Sequence, residues 1–338
     1  MKIFLSIFVV ICLSLFILKS LPWKNPASEK NISSYPIKIA LSIWSGYALA
    51  YIAQEKGIFK KNNVEVELIL KQKVNDVLEM LKNNEVDGVF DVFTDALVMR
   101  SQGYPVIVVY VTDYSNSGDV IIGRPNLTSL ADLSGKKVSF TGFNTFSHVF
   151  VLKALENAGL KESQLVFEVV PEMDVLNALE HGEIDAGHTW EPIKSQALKK
   201  GYKILAKAGD TPGIITDVLF FHEEAIKRHP DVIKAIVESL LEAEEFLQAH
   251  PDESIQIMAQ AENMTEEEMR QGLKGIRRLN LGENFIAMQP SDAVFSLYGS
   301  GKLIIDFLIN RGQLSYIPDL HEMIDPQFIQ VLIQQKER

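Results

Sequence analysis

A helix-then-strand pattern occurs twice in this chain, and that duplication restricts the fold more than any other feature. Residues 172–192 repeat residues 74–87 at a constant offset of 98: Asp76 matches Asp174, Leu78 matches Leu176, Leu81 matches Leu179, Glu85 matches Glu183 and Asp87 matches Asp185. Each copy carries apolar residues three and four apart, then a polar break, then a short apolar run. That is an amphipathic helix followed by a buried strand.

The segments before each copy also correspond. Strand 37–44, helix 47–56, Gly57 and strand 64–70 are answered by strand 137–141, helix 145–157, Gly159 and strand 165–170. Strand–helix–strand–helix–strand repeated about a hundred residues apart predicts two parallel α/β units, not a solenoid. Ligands of open α/β sheets sit at the carboxyl ends of the strands. Two such units facing each other place Trp44, Thr94, Thr141 and Trp190 around one cleft.

Residues 1–35 read as a separate region: Lys2, an apolar run over 3–18, Lys19, then a polar, proline-punctuated tether. The run is short for a membrane span and suits a secretory signal, either removed or kept as an anchor. The single cysteine, Cys12, lies within it. The remainder therefore has no thiolate for a disulfide, a zinc site or a nucleophile. The formal charge is −11, and residues 1–35 contain four lysines against one glutamate, so the rest is more acidic still. No basic stripe is left to follow a phosphate backbone, which excludes nucleic acid as a partner.

Further along, 106–111 reads as a strand, 113–119 as a polar turn and 120–123 as a strand; 217–221 is an apolar strand that crosses back. From His222 onward the pattern is helical, and Thr265 to Glu268 has the capping-box form. These helices need an apolar surface to cover. The expected division is residues 1–35 as leader, 36–118 with 219–338 as lobe one, and 119–218 as lobe two.

Glycine-rich phosphate loops, a Gly-x-Ser-x-Gly elbow and a His-Glu-x-x-His pair are absent from the sequence, so no catalytic, metal or cofactor site is expected. The candidates are aromatic, small polar and acidic residues at strand ends. Trp44-Ser45-Gly46-Tyr47 joins a strand to a helix, where free N–H groups hold anions and Gly46 allows close approach. Asn144 and Thr145 take the equivalent place in the second unit. Trp190 offers a stacking wall, and Glu191 either contacts a ligand nitrogen or caps the following helix. Asp119 and Asp217 lie near the two crossings, and Thr94 ends the strand of the first copy.

Taken together, Ile43-Trp44-Ser45-Gly46-Tyr47, Glu85-Val86-Asp87-Gly88, Ser117-Gly118-Asp119-Val120, Trp190-Glu191-Pro192 and Asp217-Val218-Leu219-Phe220 have a familiar order. The chain resembles the ABC-importer solute-binding proteins of the nitrate/sulfonate/taurine and thiamine-precursor (NMT1/THI5-like, SsuA-like) family over roughly residues 37–330. The resemblance implies the second class of periplasmic binding protein: two doubly wound α/β lobes on a two-crossing hinge, closing over a ligand. It also implies a ligand held by Trp44, Tyr47, Thr94, Asp119, Asn144, Thr145, Trp190 and Asp217. The chain lacks the lipobox of lipoprotein members and the cysteine cluster of the pyrimidine-forming enzymes.

The expected function is capture of a small nitrogen-bearing solute, aminosulfonate-like or pyrimidine-like, by a monomer in the periplasm or cell envelope that delivers it to an ABC permease. Two other classes stay open at this level. One is an enzyme on the same fold with Glu191 or Asp217 as acid/base, and the other is an envelope sensor module.

Overall fold

The computed structural model describes residues 36–336. The leader over 1–35, with Cys12, lies outside the described residues. Among the described residues eleven strands form two sheets: β1 (Ile37–Ser42), β2 (Val66–Lys71), β3 (Gly88–Val92), β4 (Val106–Ser115), β5 (Val120–Gly123), β6 (Lys137–Phe140), β7 (Val166–Val169), β8 (Ala186–Thr189), β9 (Lys203–Lys207), β10 (Thr216–His222) and β11 (Ile276–Arg278).

The duplication seen in the sequence is a duplication of sheet topology. One sheet runs β11-β4-β10-β3-β1-β2 and the other β7-β6-β8-β5-β9. In the first, β1 pairs in parallel with β2 and β3; in the second, β6 pairs in parallel with β7 and β8. Each parallel trio is extended by a strand from beyond a crossing: β10 lies antiparallel to β3, and β5 antiparallel to β8. The helix Val74–Lys82 buries Val74, Val77, Leu78 and Leu81, and its counterpart Val175–Glu180 buries Val175, Leu176, Ala178 and Leu179. Helices of matched amphipathicity thus cover equivalent strands, which is why the sequence repeat keeps its offset.

Three details differ from expectation. The polar stretch 113–119 is a turn only in its second half, because β4 continues through Ser115 with Asp113 fully buried and registered against Asp217. The returning strand begins at Thr216, so Asp217 and Val218 pair with Val92 and Asp91 in the first sheet. The carboxy-terminal half is not wholly helical: the capped helix Glu266–Lys274 stops at Gly275 and β11 follows. Gly275 has a physical reason to be glycine. Its carbonyl accepts the N–H groups of Asn116, Ser117 and Gly118 at 2.8–2.9 Å, and a Cβ there would stand 2.7 Å from the Gly118 nitrogen.

The chain leaves the first sheet between β4 and β5 and returns between β9 and β10. The two passages touch, since Ser115 donates its N–H to Ile215 O at 3.3 Å. The long helices Pro230–Ala249 and Pro251–Glu262 pack over the helix Leu49–Glu55 of the first sheet.

Candidate functional site

The carboxyl ends of β1, β3 and β8 converge where the sheets meet. Ser42, Trp44, Tyr47, Asp91, Asp119, Phe146, Trp190 and Asp217 surround a hollow of only about 10 Å³, room for about one water molecule. This is a shut cleft. Trp44 and Trp190 meet edge to face with centroids 6.1 Å apart, Phe146 lies 6.0 Å from Trp190, and Tyr47 stacks on Phe90 at 5.5 Å. Rings in such numbers supply apolar walls and negative faces for a cation.

Carboxylates supply the rest. Asp217 accepts the Tyr47 hydroxyl through Oδ1 and leaves Oδ2 without an N–H or alcohol donor. Asp113 shares the single Trp44 indole N–H between its two oxygens, each at 3.3 Å, and has the Asp217 carboxyl within hydrogen-bonding reach. A Cβ on Gly46 would fall on Asp113 Oδ2, so the turn after β1 needs glycine to pass over that carboxyl. Burial pushes Asp217 and Asp91 well above the carboxylate range, helped by neighbouring aspartates, and lifts Asp113 to about 7. Burial, with Asp217 beside it, also raises the Tyr47 phenol.

Asp119 is set by a buried relay. The Thr141 N–H donates to Ser147 Oγ at 3.0 Å, Ser147 Oγ lies 2.7 Å from His188 Nδ1, and His188 Nε2 lies 2.9 Å from Asp119 Oδ1. With Asp119 as acceptor, Nε2 carries the proton and Nδ1 receives the serine hydroxyl. The order resembles a hydrolytic triad, yet Ser147 and His188 are completely buried beneath the aromatic wall. Serine in that place orients; it does not meet a solute. Asp119 Oδ2 is left unpartnered beside the hollow.

Of the residues singled out in the sequence, Trp44, Tyr47, Asp119, Trp190 and Asp217 line the hollow. Gly46 lies directly behind it, against Asp113. The others do not face it. Ser45 packs against Gly272 of the neighbouring helix, and Thr94 donates to Ile214 O at 3.0 Å. Asn144 and Thr145 border an outer groove of about 340 Å³ with Asn75 and Lys82. Glu191 turns onto its own helix, accepting the Ser195 N–H and hydroxyl at 3.0 Å and pairing with Lys194 at 3.1 Å. Sequence reading missed Asp91, Asp113 and Phe146. A charged residue inside the fully buried strand Gly88–Val92 was the available signal for Asp91.

Known proteins place this architecture. A taurine-binding periplasmic protein of Escherichia coli (strain K12) is 25% identical over 243 residues, spanning 69% of this chain and 74% of that protein. A 4-amino-5-hydroxymethyl-2-methylpyrimidine phosphate synthase of Candida albicans is 22% identical over 220 residues, spanning 60% of this chain and 64% of that one. The periplasmic aliphatic sulphonate binding protein SsuA of Escherichia coli shares the fold with a TM-score of 0.70 at 18% identity, over 86% of this chain and 98% of that one. The family model described as NMT1/THI5 like matches residues 44–254, from the tryptophan of the first strand-end loop to the second of the long covering helices. With its periplasmic-binding-protein fold and that match over more than half its length, the chain belongs to the NMT1/THI5-like family.

Proposed function

We propose that this chain is the solute-capturing component of an ABC importer, working in the periplasm or cell envelope and delivering its ligand to a membrane permease. The two sheets act as cores of two lobes, divided near residue 118 and, because β10 already belongs to the first sheet, just before Thr216 and not at 218. The ligand is a small nitrogen-bearing organic solute, of the aminosulfonate or pyrimidine kind. The observation that carries this reading is the convergence of Trp44, Tyr47, Trp190, Asp119 and Asp217, from both sheets, on one hollow. A hollow that admits about one water requires the lobes to part for any solute and to close over it.

The protein works by binding, not turnover. The serine–histidine pair of the relay, Ser147 and His188, is sealed away from the hollow, and burial raises the Tyr47 phenol, which disfavours its ionised, nucleophilic form. Glu191 is committed to Lys194 and Ser195, which leaves it poorly placed as an acid or base. Only ligands that prefer the folded state raise its melting point, so a thermal-shift screen over organic amines, aminosulfonates, pyrimidines and oxyanions tests the reading. At least one compound should stabilise the protein and be recovered unchanged by mass spectrometry. A screen without a hit, or a compound recovered as a product, would overturn it.

A further inference from the structure

We infer that the cleft is built for a small organic cation carrying several N–H donors and no acidic group, and that it rejects sulfonates, nitrate and zwitterions. The inference rests on the solute-receptor reading and narrows it.

Backbone N–H groups beside the hollow are where an anion would be held. Four cavity-lining residues, Trp44, Val74, Val92 and Phe146, donate those N–H groups to carboxylates of the chain itself. Glu262 accepts from Trp44 at 3.1 Å, Glu172 from Val74 at 3.2 Å, Asp91 from Val92 at 2.7 Å and Asp95 from Phe146 at 2.7 Å. Three of these carboxylates arrive from distant parts of the chain, so the occupation is tertiary and not a local cap. An incoming oxyanion would find each of those donors already taken by a carboxyl group of the chain.

The cavity lining repeats the message. It contains no lysine, arginine or histidine, but it does contain Asp91, Asp119 and Asp217. Each of the three keeps a buried Oδ2 that receives no N–H or alcohol donor from the described residues, and beyond Tyr47 Asp217 has only the Asp113 carboxyl within hydrogen-bonding reach. Buried carboxylate oxygens need donors or a counter-charge. One cation with N–H groups pointing in two or three directions supplies both, and the rings of Trp44, Tyr47, Phe146 and Trp190 receive its faces. A quaternary ammonium would bring charge without donors. The fitting class is therefore an amidine, a guanidine or a protonated aminated ring.

Titration calorimetry on the full chain separates the two layers of the reading. Benzamidine and agmatine serve as cation probes, taurine and ethanesulfonate as acidic ones. At least one cation probe should bind, and Asp217→Asn and Asp119→Asn should each weaken it by more than tenfold while both variants still melt cooperatively. Taurine and ethanesulfonate should give no binding heat. Binding of either acidic probe in competition with a cation probe would overturn the cation assignment and leave the receptor intact. Cation binding indifferent to both substitutions would overturn the assignment as well. Silence from all four probes would overturn the assignment, while the receptor reading stands or falls by the thermal-shift screen.

Discussion

The indole N–H of Trp190 donates to the backbone carbonyl of Ile43 at 2.8 Å, joining residues 147 positions apart across the line where the two sheets meet. Trp190 follows β8 in one sheet and Ile43 follows β1 in the other, so this bond belongs to the shut cleft. Trp190→Phe keeps a ring in the wall and removes the donor. A net hydrogen bond is worth about 1 kcal/mol, so benzamidine affinity should fall about fivefold, mainly through faster dissociation. Stopped-flow release of the probe checks this, and an unchanged off-rate would show that the bond does not hold the cleft closed.

Asp217 is a stability cost in the empty protein. It is buried, surrounded by Asp91, Asp113 and Asp119, and has an oxygen without an N–H or alcohol donor. Asp217→Asn removes the ionisable group, and with it the cost of burying or protonating it, and retains the size. The ligand-free melting temperature should rise by about 1–2 °C, on the order of 1 kcal/mol for a chain of this size. A lower melting temperature would mean that the carboxylate is structurally satisfied.

The pH dependence has a definite sign. Burial lifts Asp95, Asp113 and Glu172 to about 7 and Glu262 to about 8, and takes Asp91 and Asp217 well above their ordinary range. Unfolded, these groups titrate near about 4. Between those limits the folded chain holds more protons than the unfolded one, so stability falls as pH rises. The contribution is fully present below about pH 4; the share of Asp95, Asp113, Glu172 and Glu262 is lost as pH rises through about 7 to 8, and that of Asp91 and Asp217 as it rises further through their raised values. Melting of the ligand-free protein should therefore occur at lower temperature at about pH 8.5 than at about pH 5.5. The opposite trend would contradict the buried-acid description.

Gly275 supports the crossings between the sheets. In Gly275→Ala the new Cβ meets the backbone of Gly118 at 2.7–2.8 Å, and backbone cannot swing aside as a side chain does. A loss of about 1–3 kcal/mol in denaturant unfolding is expected. Wild-type stability in that variant would show the passage to be loosely held.

Much of this architecture could be read from the sequence, because parallel strand–helix units impose their periodicity twice and Leu78 and Leu81 face the same kind of sheet as Leu176 and Leu179. Trp44, Tyr47, Asp119, Trp190 and Asp217 were legible for a related reason: strand ends are where such a fold presents side chains. Asp113 was not, since a polar run reads as a turn until a tryptophan 69 residues away donates to it. Glu191 was ambiguous because a helix-capping glutamate and a ligand-binding one share the same local sequence. The occupation of the anion-holding donors was invisible. Glu262 lies 218 residues from Trp44, and nothing in the spacing announces that they touch.

The most direct measurement is a crystal structure of the full chain grown with whichever organic amine stabilises it most. The ligand should lie between the Trp44 and Trp190 rings, with nitrogen atoms about 2.7–3.2 Å from Asp119 and Asp217. Ligand found in the outer groove beside Asn144, or with an acidic group displacing Glu262 from the Trp44 N–H, would contradict it.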